Sequence, residues 1–231
     1  MKYKHLFFDL DQTIAPSREP ILPEMYKLLD ETPHDIIIVS GQALHDIAWQ
    51  SDNLPAITMG QCGNHATDVA NKELWREELS ESHKQEIFEH VAKLKELLDE
   101  EPNEDWAPLE DRGALVCFSP IGNRAPVEVK RAYDPDSSKR NDLLDKIPFV
   151  SAEVSVKIGG STSFDYLHKD LHKGYNVAKL IDYMGWNKEE AVYFGDRLHP
   201  GGNDESVIGV IDTIAVEDHL DTYKKLQEML K

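Results

Sequence analysis

The sequence predicts an α/β protein whose parallel-sheet core carries an inserted α+β module. At both ends of the chain, short apolar runs rich in β-branched and aromatic residues alternate with amphipathic helical patterns. This alternation is typical of a parallel sheet covered by helices on both faces. The middle third departs from it, with one long helical pattern followed by consecutive strand patterns. We therefore expect a core formed by residues 1–80 and 169–231 and a separate module at 81–168.

The elements of the core follow from runs of apolar residues and from helix start and stop signals. Buried strands are predicted where an apolar run is bounded by charged residues, Gly or Pro, at 6–8, 36–39, 56–59, 191–194, 207–211 and 214–216. Helices are predicted between them at 23–31, 43–50, 175–184 and 218–230. Pro23 suits a first helical turn, and Gly185 suits a helix end.

The insert is predicted to be an antiparallel sheet backed by helices. Residues 83–101 place Ile87, Val91, Leu94 and Leu98 on one stripe, which indicates a helix packed on a core. A strand at 114–118, a helix at 137–146 and strands at 150–158 and 163–167 follow. Gly159 and Gly160 separate the last two strands, as in a hairpin.

Composition narrows the classes of partner and compartment. The 231 residues are 40% hydrophobic, and 43 Asp+Glu against 25 Lys+Arg give a formal charge of −18. Such a field repels nucleic-acid phosphates and anionic lipids, so we expect neither a nucleic acid nor a membrane as partner. No apolar stretch approaches the roughly 18 residues of a spanning helix. Cys62 and Cys117 form no zinc or disulfide pattern, and a reducing cytoplasm fits best.

Polar side chains follow three of the predicted core strands. Asp9 and Asp11 follow the first, Ser40 follows the second, and Asp196 follows the run at 191–194, with Asp204 further along the same Gly-rich loop. In open α/β sheets, ligands bind at the carboxyl ends of the strands. Carboxylates converging there repel each other unless a cation compensates, and oxygen donors favour Mg²⁺. We therefore predict a Mg²⁺ site formed by four carboxylates, those of Asp9, Asp11, Asp196 and Asp204.

The same residues suggest a reaction. Once a cation and a basic group screen the site, Asp9 can attack a phosphoryl group and become an aspartyl phosphate. Asp11, two residues later, can handle the proton of the alcohol that leaves or arrives. Taken singly, each aspartate could equally be a turn or helix-cap residue. Their position at the ends of separate strands favours the catalytic interpretation.

Four ordered motifs resemble those of the haloacid dehalogenase (HAD) superfamily of phosphotransferases, whose core is Rossmann-like. They are FFDLDQTI, Ser40, Lys173 and GDRLHPGGND. The resemblance implies that Asp9 is the nucleophile and Asp11 the general acid/base. It further implies that Ser40 and Lys173 bind the transferring phosphoryl group, and that Asp196 holds Mg²⁺.

A finer resemblance covers most of residues 110–206 and implies that the insert is a cap that binds the substrate. SPIG, GGSTSFD and PGGND are similar to strings of the eukaryotic-type phosphomannomutase branch. For the cap, the resemblance implies a set of residues that bind the distal phosphate and the hydroxyls of a hexose phosphate, namely Arg112, Arg124, Arg131, Ser163 and Asp165. This chain has Gln12 where the family usually has Gly, and VSGQ as its second motif. SPIGNR has one extra residue before its Arg, so Asn123 or Arg124 takes the expected cap position.

The basic residues of the insert support a phosphate clamp independently of the resemblance. Guanidinium groups form bidentate charge-assisted hydrogen bonds to phosphate, and Arg112, Arg124, Lys130 and Arg131 concentrate positive charge in an acidic chain. The competing interpretation is that they form surface ion pairs with neighbouring acids. Three of the four flank one predicted strand, which favours the clamp.

These observations lead to one expected function and two alternatives. We expect a Mg²⁺-dependent phosphohexose mutase that passes a phosphoryl group through Asp9 and requires a sugar 1,6-bisphosphate activator. A sugar-phosphate phosphatase would use the same aspartyl phosphate and release it to water, and a non-catalytic phosphosugar-binding protein ranks below both. The resemblance also implies a homodimer through the cap. A pocket that admits a charged sugar and then excludes water predicts a mobile lid, with hinges at 80–82 and 168–170.

Overall fold

The computed structural model of the protein describes residues 2–230. The chain divides into two compact units. The core unit contains the residues up to Arg76 and those from Leu171 onward, and the inserted unit is Glu77–Asp170. None of the helices within residues 2–230 has the length and apolar character needed to cross a bilayer.

The core unit is a seven-stranded sheet covered by helices. Its strands are β1 (His5–Phe8), β2 (Asp35–Val39), β3 (Ile57–Gly60), β4 (His65–Thr67), β5 (Glu73–Arg76), β10 (Ala191–Gly195) and β11 (Asp212–Ala215), in the spatial order β11-β10-β1-β2-β3-β4-β5. All neighbouring pairs from β11 to β3 are parallel, and β4 and β5 extend the sheet antiparallel. The helices are α1 (Pro23–Asp30), α2 (Leu44–Gln50), α6 (Lys173–Met184) and α7 (His219–Met229).

The two faces of this sheet explain why its central strands are continuous apolar runs. Leu6 and Phe8 of β1 pack into one apolar cluster, while Phe7 between them packs into another on the opposite face. Successive side chains of a strand point to opposite faces, so a strand covered on both sides must be apolar throughout. Phe8 pairs with Phe194 of β10 and with Ile38 of β2, so all three strands end at the same edge.

The inserted unit is a four-stranded antiparallel sheet with helices on one face. Its elements are α3 (Glu81–Lys95), β6 (Leu109–Asp111), β7 (Leu115–Phe118), α4 (Val127–Tyr133), α5 (Ser138–Lys146), β8 (Val154–Gly159) and β9 (Ser163–His168). The strand order is β6-β7-β9-β8. Val116, Phe118, Phe164 and Tyr166 face the apolar residues of α3. The α/β core with its inserted α+β unit, the predicted fold class, is confirmed.

The opposite face of the inserted sheet carries a row of polar side chains. Glu110 pairs with Cys117, Cys117 with Asp165, and Asp165 with Lys157, so these four cross-strand neighbours lie on one face. Gly159 pairs with Ser163 across the predicted hairpin turn, where Gly160 has φ +44°. This left-handed conformation favours glycine.

Several predicted elements differ from the structure. The strand predicted at 207–211 is wrong: Val207 ends a short 3₁₀ helix, and Gly209 at φ +85° turns the chain. The run is apolar because Val207 and Ile211 pack into the core cluster beside α6. Helix α3 ends at Lys95, six residues before the predicted 101, in a segment whose acidic residues oppose the helix dipole at a carboxyl end. Strands β4, β5 and β6 and helix α4 have no counterpart among the predicted elements.

Candidate active site

Three aspartates meet at the carboxyl edge of the core sheet. Asp9 follows β1, Asp196 follows β10, and Asp204 lies in the loop after Asp196. Each offers an oxygen within 4.8 Å of the others. Asp9 is 4% exposed and Asp204 is fully buried, so this is not a solvated acidic patch.

Lys173, the first residue of α6, lies among these carboxylates. Its Nζ donates hydrogen bonds to Asp9 Oδ1 at 2.6 Å and to Asp204 Oδ1 at 2.7 Å. Tyr193 OH, at the centre of β10, donates to the same Asp204 oxygen at 2.8 Å and accepts from Lys173 Nζ at 3.3 Å. A lysine that is 1% exposed is stable only when paired, and this network pairs it on three sides.

Glycines allow the close approach that builds this network. A Cβ on Gly174 would lie 1.8 Å from Ser206 O, so only glycine lets the first turn of α6 contact the loop after Asp204. A Cβ on Gly195 would lie 2.6 Å from Asp204 Oδ2. Gly174 is thus adjacent to Lys173 in the chain, and Gly195 lies against the carboxylate of Asp204. Gly195 also belongs to the GDRLHPGGND motif.

The site contains more negative than positive groups, and this affects the pKa values of its carboxyls. Burial, together with repulsion from Asp204 and Asp196, raises the pKa of Asp9 to about 8 against the opposing effect of Lys173. Burial and Asp204 likewise raise the pKa of Asp196 to about 6. Burial alone would lower the pKa of Lys173, but Asp204 and Asp9 outweigh it and the pKa lies well above its usual value. The ammonium of Lys173 is therefore fixed, and Asp9 and Asp196 are the groups whose protonation changes with pH.

The donor set of this cluster fits a divalent cation. Three carboxylates and one ammonium leave a formal charge of −2 when all are ionised, and hard oxygen donors suit Mg²⁺. Asn203 Oδ1, next to Asp204 in the chain, is buried with no hydrogen-bond partner. A buried acceptor without a donor is costly unless a cation or water satisfies it.

Asp11 is oriented differently from the other three carboxylates. Among residues 2–230, the cluster of potential metal ligands comprises Asp9, Asp196 and Asp204, without Asp11. Asp11 Oδ2 accepts from Gln42 Nε2, and Oδ1 accepts from Gln50 Nε2, each at 3.0 Å. Oδ1 also accepts from the backbone N–H of Arg18 at 2.7 Å, and Arg18 Nε is 3.6 Å from Oδ2. The structure thus does not bring the Asp11 carboxylate into the predicted metal set.

Ser40 directly follows β2. Because β1 and β2 are paired in parallel, Ser40 and Asp9 lie at the same edge of the sheet. Ser40 is 3% exposed, and its Oγ accepts from the backbone N–H of Gln42 at 3.2 Å. Gln12, which replaces the usual glycine, has φ +60°. The chain therefore makes a left-handed turn between Asp11 and the following residues despite the side chain.

The predicted cap arginines lie in the inserted unit and differ in how they are held. Arg112 is nearly buried and donates from Nε to Glu110 Oε2 at 3.1 Å. Burial alone would lower its pKa, but Cys117, Asp165 and Glu110 raise it overall. Arg124 is 71% exposed with Nε 3.6 Å from Glu110 Oε1. Arg131 is exposed on α4.

Asn123 is held by the backbone of the inserted unit. Its Nδ2 donates to Ala107 O at 3.0 Å, and its Oδ1 accepts from Cys117 Sγ at 3.1 Å. A side chain so engaged supports the loop rather than offering a group to a ligand. On the polar face of the sheet, Ser163 is 9% exposed, and Asp165 has one buried oxygen, Oδ1, with no hydrogen-bond partner.

Four side chains that order the two units were missed as functional candidates. Tyr193, Gln42 and Gln50 serve the core site, and buried Arg140 joins Asp134 to the β8–β9 turn by donating to Gly159 O at 2.7 Å. A buried tyrosine needs a partner for its hydroxyl, which could have singled out Tyr193 in an apolar strand. Nothing in the local sequence pattern distinguishes Gln50 from a surface glutamine.

Solved structures with the same fold belong to HAD-like proteins. A haloacid dehalogenase-like hydrolase from Bacteroides thetaiotaomicron superposes with a TM-score of 0.68 at 13% identity, covering 99% of this chain and 100% of that one. An IMP-nucleotidase from Plasmodium falciparum superposes with a TM-score of 0.65 at 16% identity, covering 99% of this chain and 68% of that one. At such identities the likeness establishes the fold.

Comparison of this sequence with those of known proteins identifies a narrower family than the fold does. A phosphomannomutase from Nicotiana benthamiana is 25% identical over 239 residues, covering 96% of this chain and 92% of its own. One from Arabidopsis thaliana is 26% identical over 218 residues, covering 87% of this chain and 85% of its own. The family model described as eukaryotic phosphomannomutase matches residues 59–231, which include Lys173, Asp196 and Asp204 as well as the inserted unit. With its HAD fold and this match over most of its length, the chain belongs to the eukaryotic phosphomannomutase family of enzymes.

Proposed function

We propose that the protein is a Mg²⁺-dependent phosphohexose mutase that transfers a phosphoryl group through Asp9. The observation that carries the proposal is the buried ammonium of Lys173 between Asp9 and Asp204 at the carboxyl edge of the sheet. This arrangement holds a carboxylate nucleophile and a fixed positive charge at one point. The relatives named phosphomannomutase support a hexose phosphate as the substrate. A cytoplasmic location and pairing of two copies through the inserted unit remain predictions.

The proposed reaction is a pair of phosphoryl transfers. A carboxylate oxygen of Asp9 forms a bond to phosphorus as the bond from phosphorus to the sugar oxygen breaks, and Asp11 gives that oxygen a proton. In the reverse step Asp11 takes the proton from another sugar hydroxyl, which attacks the aspartyl phosphate. Lys173 and Ser40 would bind the phosphoryl oxygens, whose charge is spread in the transition state. No net oxidation or consumption of water occurs.

The cation fits the carboxylates of Asp9, Asp196 and Asp204. When bound, Mg²⁺ would neutralise the charge of the cluster and of the phosphoryl oxygens. Lys173 alone leaves the ionised cluster with a formal charge of −2, and burial together with repulsion from Asp204 and Asp196 raises the pKa of Asp9. An anionic phosphate would be repelled from such a site without a cation.

The polar face of the inserted sheet suits the part of the substrate that does not react. Arg112 supplies an always-charged guanidinium, and the orphaned Oδ1 of Asp165 can accept from a sugar hydroxyl. Ser163, two residues before Asp165 in the same strand, adds a hydroxyl on the same face of the sheet. We infer that Arg112, Arg124, Arg131, Ser163 and Asp165 bind the distal phosphate and hydroxyls, with Arg124 rather than Asn123 in the expected cap position.

A sugar-phosphate phosphatase is the second candidate, and one observation favours it. Arg112 and Arg124 both lie close to the carboxylate of Glu110, which offsets their positive charge. A weaker grip on the distal phosphate would let a bisphosphate leave before its second transfer. Water would then receive the phosphoryl group from Asp9. The non-catalytic alternative would require at least one missing motif residue, and Asp9, Asp11, Ser40, Lys173 and Asp196 are all present in the sequence.

The fate of the phosphoryl group decides between the two. The purified protein is incubated with mannose 1-phosphate or glucose 1-phosphate, Mg²⁺ and a trace of glucose 1,6-bisphosphate, and both 6-phosphate and inorganic phosphate are followed. A mutase forms the isomer well above phosphate release and needs the bisphosphate to start. Stoichiometric phosphate with no isomer would establish the phosphatase instead. Asp9→Asn is the matched control, since it keeps the side-chain volume and must abolish either activity.

A further inference from the structure

Two glutamines form a closed hydrogen-bond network around Asp11. Gln42 lies in the loop after β2, and Gln50 is the last residue of α2, so the sequence brings them from separate elements to one carboxylate. Gln42 is 3% exposed and Gln50 is fully buried. Buried amides of this kind need partners for every polar atom, and here the partners converge on Asp11.

The partners fix which way each amide points. Gln50 Nε2 donates to Pro16 O and to Asp11 Oδ1, both at 3.0 Å, and a carbonyl oxygen can only accept. Gln42 Nε2 donates to Gln50 Oε1 at 2.7 Å and to Asp11 Oδ2 at 3.0 Å. All four side-chain N–H groups are thus used, and each carboxylate oxygen of Asp11 receives one of them.

We propose that Gln42 and Gln50 are positioning residues that set the orientation of Asp11 for proton transfer. The inference rests on the proposed function, in which Asp11 is the general acid/base. A carboxylate side chain has two rotatable bonds, and the backbone N–H of Arg18, which also donates to Oδ1, would by itself leave the plane of the oxygens free to rotate. Two amides bound to each other and to opposite oxygens remove that freedom. Proton transfer depends on such placement, since a misplacement of about 1 Å can cost roughly 100-fold in rate.

Neither glutamine is placed to bind the substrate through its amide. Both N–H groups of each are already used within the network, and both side chains are buried. Their removal should therefore affect the chemical step more than substrate binding. A residue that merely stabilised α2 would instead lower the amount of folded enzyme without changing how the folded fraction responds to loss of Asp11.

The test is a double-mutant cycle between Gln50 and Asp11 in the full-length protein. The variants are Gln50→Met, Asp11→Asn and the two together, and mannose 1-phosphate with Mg²⁺ and glucose 1,6-bisphosphate is the probe. We expect Gln50→Met to lower kcat roughly 10- to 100-fold with KM within about twofold of wild type. In the Asp11→Asn background the same change should lower kcat less than about twofold, because the carboxylate it positions is gone.

The control is Ser51→Ala, which removes a buried hydroxyl at the same end of α2 that is bonded to Ala48 O and not to Asp11. Its kcat and KM should stay near wild type. Equal losses from Gln50→Met in both backgrounds, or a change confined to KM, would overturn the inference. If Gln50→Met fails to fold, Gln42→Met carries the same cycle. A fully active Asp11→Asn protein would instead refute the proposed function itself, so the two failures are distinguishable.

Discussion

At the scale of single residues, the site is governed by the competition between burial and charge around Asp9. Burial disfavours its ionised form, and two neighbouring carboxylates add to the effect, so its pKa rises to about 8 even with Lys173 at 2.6 Å. A raised carboxyl pKa means that the folded state holds a proton that the unfolded chain has lost. The metal-free core is therefore expected to lose stability as the pH rises from about 4 toward 8.

The first prediction is that Mg²⁺ binds more tightly as the pH rises from 6 to 8. The cation needs ionised carboxylates, and in the metal-free site Asp196 and Asp9 lose their protons near pH 6 and pH 8. Apparent affinity should increase roughly 10- to 100-fold over this interval and then level off, as titration calorimetry would measure. Asp9→Asn should bind more weakly with a shallower dependence. An affinity independent of pH over this range would contradict the assigned ligands.

Gln12 supplies a second prediction, on stability. A side chain at φ +60° costs about 1–2 kcal/mol relative to the right-handed region, whereas glycine adopts this conformation without that strain. Gln12→Gly should therefore raise the free energy of unfolding by about 0.5–1 kcal/mol in urea titrations, after the greater entropy of an unfolded glycine is allowed for. Gln12→Ala, which keeps the Cβ, should give no such gain. A glycine variant less stable than the alanine variant would disprove the strain.

At the scale of elements, the position of α6 relative to the loop 196–206 determines whether Lys173 reaches its partners. The backbone N–H of Gly174 donates to Ser206 Oγ at 3.1 Å, and the first turn of the helix lies directly on Ser206 O. His172 caps the same end by accepting from the N–H of Tyr175 at 3.1 Å. The helix start, its cap and its lysine thus form one structural unit.

Gly174→Ala is therefore predicted to damage both stability and activity. The added Cβ would lie 1.8 Å from Ser206 O, and relieving this clash must move backbone rather than a flexible side chain. We expect a loss of about 1–3 kcal/mol in the free energy of unfolding and a larger proportional loss of kcat, as Lys173 leaves Asp204. Gly41→Ala is the control for stability, because its Cβ would meet only Cys62 Sγ at 4.0 Å. Equal tolerance of both changes would refute the close-packing argument.

The elements also show what local sequence can and cannot predict. Strands β1, β2 and β10 were predictable because burial on both faces leaves an uninterrupted apolar run, and Asp9, Ser40 and Asp196 follow from where those runs end. The segment 207–211 is just as apolar, but its side chains pack against α6 and it forms no strand. An apolar run in the sequence does not show whether the segment is a buried strand or a segment that covers a helix. Strand β4 has three residues and no alternation. Gln50 was not identifiable, since its partners lie 39 and 34 residues away in the chain.

At the scale of the whole molecule, the chemistry is divided between two separately packed units. Asp9, Asp11, Lys173, Asp196 and Asp204 belong to the core unit, and the candidate hydroxyl and distal-phosphate ligands belong to the inserted unit. The junctions lie between Arg76 and Glu77 and between Asp170 and Leu171. Because the chain has a formal charge of −18, the proposed anionic substrate would have to be attracted locally, by the ammonium, the proposed cation and the guanidinium groups.

The proposed mutase reaction uses residues of both units, and this leads to the last prediction. Addition of glucose 1,6-bisphosphate and Mg²⁺ should slow hydrogen exchange in two places: the core loops that carry Asp9 and Asp204, and the β6–β7 and β9 segments that carry Arg112 and Asp165. Arg112→Met is the matched variant, because it keeps the apolar stem of the side chain but loses the guanidinium. In that variant, the core loops should still be protected and the inserted unit should not. Protection confined to the core unit of the wild-type protein would show that the insert does not bind the substrate and would favour a phosphatase that handles only the reacting phosphate.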